Sequence, residues 1–386
     1  MLALRLTRGT HPLVLARRLL VAAASAGVGF LLLCTLGHAL GHPEQSSASA
    51  LRLLWCVLPL AATVQFAVAV ARTDPSTRPR PGLSAIGLGP ARLTLLAAAS
   101  TAVTCTLGSA AALLLYLHLR GDLTGLPLDG AAAGLLAADR PVPLAAVLTL
   151  LAVVPVTAAA AAALALRPRA VPTAPEGGEG ADESMPSGLP WGVALVAIGL
   201  AVETYAGRSG GGDGLPLPGR FDGSPAAVLA GWILTAIGLA TAGPGLVHAC
   251  GRLLQAVRPG AVRLLAGRVL TAEARRVGRP LGVVCAVLSG MLAAATVYAS
   301  HTDAAAFGPL TGLGATLILA CTGATLLTAA LESRQSRAPV TEALLLVGAP
   351  PATLRRAALL RAGALLAVFL PLTWAVAELA ALPLKG

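Results

Sequence analysis

Long apolar runs alternate with short polar segments along the chain. A helix needs about 20 predominantly apolar residues to cross a bilayer, and this criterion predicts nine membrane spans. The predicted spans are 19–39, 51–71, 93–117, 141–166, 189–205, 225–249, 280–300, 310–331 and 357–380. The pattern therefore predicts an all-α polytopic membrane protein.

Composition agrees with this prediction. Of 386 residues, 56% are hydrophobic and 12% are charged, whereas soluble domains are roughly 45–50% apolar and about 25% charged. The six cysteines lie in or beside apolar runs without the spacing of a metal site. We expect them to be small buried apolar side chains rather than disulfides or metal ligands.

The formal net charge of +11 comes from arginines that lie between the apolar runs. Basic loops in such positions set membrane orientation, so we expect contact with lipid and not with nucleic acid. With the amino terminus in the cytoplasm, the cytoplasmic segments hold 22 arginines and the outside holds six basic residues. The positive-inside rule predicts this orientation.

The chain contains only one lysine, Lys385, in the terminal Leu-Lys-Gly. A phosphate-binding Walker loop needs a lysine after glycine to reach the β- and γ-phosphates. We therefore predict no nucleotide hydrolysis and no cofactor in this chain. Any ATPase must be a separate polypeptide.

Two polar segments subdivide the chain. Residues 167–188 are rich in proline, glycine and acidic residues, which predicts a disordered linker. Residues 252–279 contain seven arginines, together with apolar residues at helical spacing, which predicts an amphipathic helix on the membrane surface. These apolar residues are Val262, Leu264, Leu265, Val269 and Leu270. The predicted regions are 1–166, 167–188, a two-span hairpin at 189–249, and 250–386.

Two segments between apolar runs resemble each other at a distance of 261 residues. Residues 83–93 align with 344–354 without a gap and match Gly87 with Gly348, Pro90 with Pro351, and Leu93 with Leu354. Residues 16–18 and 274–276, both Ala-Arg-Arg, match at an offset of 258. Six crossings separate the copies, so we predict parallel repeats, 1–166 and 250–386.

The second copy carries a family resemblance. The relevant residues are Leu331-Glu332-Ser333-Arg334, residues 342–351, Leu354-Arg355-Arg356, and residues 266–270 followed by Arg275-Arg276. This set resembles the FtsX-like permeases, the membrane subunits of type VII ABC transporters. The match covers about Val262 to the end well and 16–117 more loosely. Family members commonly carry a large extracellular domain, for which this chain has links of only around ten residues.

The resemblance implies a permease subunit in a bacterial plasma membrane. It would work with a separate ABC ATPase, in two copies, to export or extract a hydrophobic or peptide-like substrate. In the family the loop seats in a groove of the ATPase, and we expect Gly348 to end a short helix there and Pro350-Pro351 to set the next turn. The candidate coupling residues are Leu83, Ile86, Gly87, Pro90, Arg92, Leu344, Val347, Gly348, Pro350, Pro351, Leu354, Arg355 and Arg356.

Other interpretations stay open. Arginines at membrane boundaries are usually topology determinants, although two loops in register on one side favour coupling. A scaffold that relays the state of an ATPase to an envelope partner is one alternative, and short external links disfavour it. A secondary carrier is another, and it would work without an ATPase.

Several polar groups are further candidate sites. Gln65, Glu203 and Glu378 fall within predicted spans, where polar groups tend to face a bundle interior or cavity; the alternative for the two glutamates is the outer interface. His38 and His42 have the spacing of two metal ligands but lack a third. Residues 207–211 match the GxSxG pattern of serine hydrolases, which chance explains in a predicted external loop.

Overall fold

The computed structural model describes residues 12–74, 90–122, 130, 132–134, 136, 138–167, 188–208, 214–215, 224–256, 260–300 and 308–385. Within these ranges the chain forms ten α-helices, one 3₁₀ turn (Pro43–Gln45) and one antiparallel pair of two-residue strands, β1 (Gly214–Leu215) and β2 (Ser224–Pro225). The helices are α1 (Pro12–Gly41), α2 (Ser46–Trp55), α3 (Val57–Thr73), α4 (Pro90–Arg120), α5 (Leu144–Ala165), α6 (Gly188–Arg208), α7 (Ala226–Gln255), α8 (Ala261–Ser300), α9 (Pro309–Leu346) and α10 (Pro351–Lys385). The predicted all-α architecture is confirmed.

Among the described residues, nine segments are long and apolar enough to cross a membrane, and each overlaps one predicted span. They are Val14–Gly41, Arg52–Thr73, Ala91–Arg120, Leu144–Ala165, Gly188–Tyr205, Val228–Gln255, Ala261–Thr296, Leu310–Leu346 and Pro351–Leu382. The chain is a multi-pass membrane protein. The predicted linker lies outside the described residues except for its ends.

The second span is two helices, which the hydrophobic pattern did not predict. Helix α2 ends at Trp55 and α3 begins at Val57. Pro59 explains the break, since proline donates no backbone hydrogen bond and its ring collides with the carbonyl four residues earlier, here that of Trp55. At the break, the Cys56 N–H is shared between the carbonyl oxygens of Arg52 (3.3 Å) and Leu53 (3.1 Å).

Two predicted boundaries are wrong. The predicted surface helix and the seventh span form one helix, α8, which continues through Pro280. The predicted loop at 332–356 is largely helical, because α9 continues through Pro339 to Leu346 and α10 begins at Pro351. The polar residues that follow the apolar segment, among them Glu332, Arg334 and Gln335, are good helix formers, so α9 extends beyond its apolar segment.

The arginine-rich part of α8 is amphipathic as predicted, but its buried face differs from the prediction. Ala266, Leu270 and Ala274 are buried, while Leu264 is exposed. The exposed arginines Arg268, Arg275 and Arg279 lie on the other side of the helix. The buried face packs along α7, so this segment is not a separate surface helix.

The chain divides into two compact units. The first comprises 1–171 and 307–325, and the second comprises 172–306 and 326–386, so α9 begins in one and ends in the other. In the first unit α1 packs against α3, α4 and α5. Its core includes Phe66, Cys105, Val28 and Val154, and the Ser25 hydroxyl donates to the Cys105 carbonyl oxygen at 2.8 Å.

The second unit contains helix crossings at glycine. Helix α7 packs against α6 and α8, and α8 packs also against α10. A Cβ at Gly278 of α8 would lie 2.4 Å from Cα of Pro244 in α7, and one at Gly192 of α6 would lie 2.5 Å from the Ala242 nitrogen. Small residues bring the backbones close, as is common where membrane helices pack.

Candidate functional site

The turn between α9 and α10 holds most of the predicted coupling residues. The Gly348 N–H donates to the Leu345 carbonyl oxygen (3.0 Å) and the Ala349 N–H to the Leu344 carbonyl oxygen (2.9 Å). This pair of bonds is the Schellman motif, which needs a left-handed residue at the position that Gly348 occupies with φ of 95°. Gly348 thus ends a helix, as predicted, although that helix is the long α9 and not a short separate one.

Proline starts the next helix. Pro351 is the first residue of α10. A backbone N–H at this position would have no partner within the helix, so its absence in proline costs no helical hydrogen bond. The Thr353 N–H and hydroxyl both donate to the Pro350 carbonyl oxygen, at 3.0 and 2.6 Å. The two helices are therefore joined by a short, hydrogen-bonded turn.

The turn between α9 and α10 begins with an apolar and exposed segment. We call Leu345, Leu346 and Val347 the tip; Leu346 and Val347 are each 88% exposed and Leu345 is 44% exposed. Leu344 and Leu354 are half-buried beside it, and Arg355 and Arg356 are exposed in the first turns of α10. The turn thus presents an apolar end with two arginines close by in sequence.

The predicted first coupling loop is only partly described. Leu83, Ile86 and Gly87 lie outside the described residues. Pro90 is the first residue of α4, as Pro351 is of α10, and Arg92 is exposed in the first turn. Helix α4 packs on α1 just as α10 packs on α8, so the third helix of each predicted repeat packs on the first.

Glu203 is fully buried between α6 and α7. The Thr235 hydroxyl donates to Glu203 Oε1 at 3.2 Å, and Oε2 has no hydrogen-bond partner among the described residues. Gly231 makes room, since a Cβ there would lie 2.5 Å from Glu203 Cγ. Glu203 thus faces a neighbouring helix, as polar groups in membrane spans tend to do. The other two candidates differ: Gln65 is exposed on the first unit and Glu378 is half-buried.

Removal of the Thr235 hydroxyl should destabilise the α6–α7 pair. We expect Thr235→Val to cost about 1–2 kcal/mol, because it leaves a buried carboxyl without its donor. The double variant Glu203→Leu/Thr235→Val should recover most of that loss, since both polar partners are then gone. Unfolding by SDS titration, followed by circular dichroism, measures both. Equal stability of Thr235→Val and the unchanged chain would contradict the expectation.

Metal ligands are not gathered anywhere in the described part of the chain, where no three His, Cys, Asp or Glu side chains form a group. His38 and His42 stack with ring centroids 4.3 Å apart. The GxSxG pattern extends into residues outside the described ranges. All six cysteines are buried, as predicted, and their thiols are free.

Ion pairs between helices were missed by the sequence reasoning. Arg18 of α1 pairs with Asp74 just after α3 at 2.5 Å, and Arg337 of α9 pairs with Glu273 of α8 at 2.7 Å. The sequence did contain one indication of the second pair: Glu273 is the only acidic residue in 252–279, a segment with seven arginines.

Comparison with known proteins gives no relative. No family model, no curated protein and no solved structure matches the chain.

Proposed function

We propose that the chain is the permease subunit of an ABC transporter, in which the tip binds a separate ATPase. The exposed apolar tip carries this proposal. Leu346 and Val347 are almost fully exposed at the turn between two helices of a multi-pass membrane protein, and contiguous exposed apolar side chains mark sites of protein or membrane interaction.

The rigid construction of the turn supports a mechanical role. The Schellman bonds and Pro351 fix the backbone between α9 and α10. A force on the tip is therefore expected to displace both helices, whereas a flexible loop would absorb it. In this proposal, closure of the ATPase on ATP binding displaces α9 and α10 and reshapes the path of a hydrophobic or peptide-like substrate. The amino terminus and the tip both face the cytoplasm of a bacterial cell.

The internal repeat supports two ATPase contacts in one chain. The packing of α1 on α4 is repeated by α8 on α10. Thr63 of α3 and Cys321 of α9, which lie 258 residues apart, are in contact with 3.6 Å between Oγ1 and Sγ. This is the offset that relates the two Ala-Arg-Arg segments. One permease chain would then serve an ATPase dimer through 83–93 and 344–354.

Co-purification tests the proposal. The chain should be expressed with the ABC ATPase encoded beside its gene and isolated in detergent and in lipid nanodiscs. We expect the ATPase to co-purify and its ATP hydrolysis to rise. Replacement of 345–354, which removes the tip and the turn after it, by a neutral linker of the same length should abolish both. Unchanged binding and hydrolysis in the linker variant would refute the proposal.

Glu203 favours a second candidate, a secondary carrier. Acidic side chains buried in membrane helices often lie on ion or proton pathways, and Glu203 is fully buried. This candidate predicts transport in vesicles without any ATPase, driven by pH or membrane potential and lost in Glu203→Gln. Transport that requires ATP and survives Glu203→Gln would exclude it.

A further inference from the structure

Three side chains form a closed network between α8 and α9. Arg337 Nε lies 2.7 Å from Glu273 Oε1, and the Ser333 hydroxyl donates to Glu273 Oε2 at 2.7 Å. Arg337 Nη2 completes the triangle by donating to Ser333 Oγ at 2.6 Å, and Nε also donates to the Ser333 carbonyl oxygen at 3.0 Å. We call Glu273, Ser333 and Arg337 the clamp.

The clamp is stronger than an ordinary surface ion pair. Exposed pairs contribute little, because water and salt screen them. Here the side chains of Arg337 and Glu273 are only 26% and 16% exposed, and Ser333 is buried. One carboxylate oxygen accepts a short hydrogen bond from Ser333 and the other pairs with the charged guanidinium group. The bonds from Arg337 to Ser333 fix the orientation of that group.

The position of the clamp gives it a role at the tip. Ser333 is the last buried residue of α9, and every residue from Arg334 to Leu346 is at least partly exposed. At a rise of 1.5 Å per residue, the helix projects about 20 Å from Ser333 to Leu346. We call residues 334–346 the arm. The neighbours of Glu273 on α8, Leu270 and Ala274, belong to the buried core of the second unit.

The first unit has a corresponding contact with the charges exchanged. Arg18 Nη2 of α1 lies 2.5 Å from Asp74 Oδ2, and Arg17 Nη1 donates to Thr73 Oγ1 at 3.3 Å. In both units an ion pair joins the first helix of the predicted repeat to the second, before the turn to the third helix. The first helix supplies the cation in one unit and the anion in the other.

We infer that Glu273, Ser333 and Arg337 are positioning residues that fasten the arm to α8, so that force applied at the tip reaches the core of the second unit. This inference rests on the proposed function for the source of the force. Without the clamp, the arm bends at Ser333 and the displacement of the tip is lost as local motion. Arg18 and Asp74 fasten the end of α3 in the same way.

Hydrogen exchange of the full chain tests the fastening without any ATPase. In Arg337→Ala the amides of the arm should exchange about three- to tenfold faster, since local opening of this segment becomes easier. Arg337→Lys retains the charge opposite Glu273 and should restore part of the protection. Arg334→Ala, which alters an exposed arginine of the same helix, is the matched control and should leave exchange unchanged. Equal exchange of the arm in Arg337→Ala and the unchanged chain would overturn the inference.

The complex with the neighbouring ATPase tests the transmission. Arg337→Ala should bind the ATPase as the unchanged chain does, because the tip is intact, while its stimulation of ATP hydrolysis falls about fivefold or more. Full stimulation in this variant would overturn the inference and leave the proposed function standing. Failure of the unchanged chain to bind the ATPase would overturn the proposed function and the transmission role together, and the exchange result would still decide whether the clamp fastens the arm.

Discussion

Replacement of Gly278 by valine is expected to disrupt the second unit. A Cβ at Gly278 of α8 would lie 2.4 Å from Cα and 2.6 Å from the nitrogen of Pro244 in α7. These are backbone atoms, so no rotamer change relieves the overlap and the two helices must separate. Overpacking costs about 1–3 kcal/mol where side chains can yield, and we expect at least the upper end of that range here.

Gly290 provides the matched control, because it lies in the same helix and a Cβ there would meet no described atom within 4 Å apart from the adjacent backbone of α8. Gly290→Val carries the same change in helix propensity without the overlap. SDS titration followed by circular dichroism should show Gly278→Val unfolding at a much lower SDS fraction than Gly290→Val. Similar transitions in the two variants would show that α7 and α8 do not pack through Gly278.

Hydropathy predicted the spans well because membrane crossing depends on length and apolar content. It did not predict where helices end, since a helix continues past its apolar segment when the following residues favour helix. The arm is an example: Arg337, Thr341 and Glu342 are polar, yet α9 continues to Leu346. Hydropathy therefore predicted a loop in place of the last four turns of a helix.

Proline was an ambiguous signal. Pro59 coincides with the break at Cys56, whereas Pro155, Pro244, Pro280 and Pro339 lie inside continuous helices. Whether a proline breaks a helix depends on whether the carbonyl group four residues earlier accepts a hydrogen bond from another donor or moves away from the proline ring. That depends on tertiary packing, which a single sequence does not contain.

The candidate site was predictable in its turn chemistry but not in its surroundings. Gly348 and Pro351 have local roles that follow from their own backbone geometry, so sequence sufficed. The burial of Glu203 depends on Gly231 and Thr235 of the neighbouring helix, about 30 residues away. The clamp likewise joins residues about 60 positions apart, and no short-range sequence pattern predicts such a contact.

Substitution of the tip should abolish ATPase binding with little effect on folding. In the triple variant Leu345→Ser/Leu346→Ser/Val347→Ser, three exposed apolar side chains are lost, while Gly348 and Pro351 keep the turn. Truncation of a hot-spot side chain at an interface centre costs about 2 kcal/mol or more. We therefore expect affinity for the neighbouring ATPase to fall at least about 100-fold, measured by titration of the labelled ATPase against the chain in nanodiscs.

Leu253→Ser is the matched control for the tip. Leu253 is 68% exposed near the carboxyl end of α7, so its substitution removes a similar apolar side chain from another part of the chain. We expect this variant to bind the ATPase normally, and all variants to unfold at the same SDS fraction as the unchanged chain, because exposed side chains add little to packing. Retained ATPase binding by the triple variant would place the contact elsewhere. Equal loss in both variants would show that general surface apolarity, rather than the tip, attracts the ATPase.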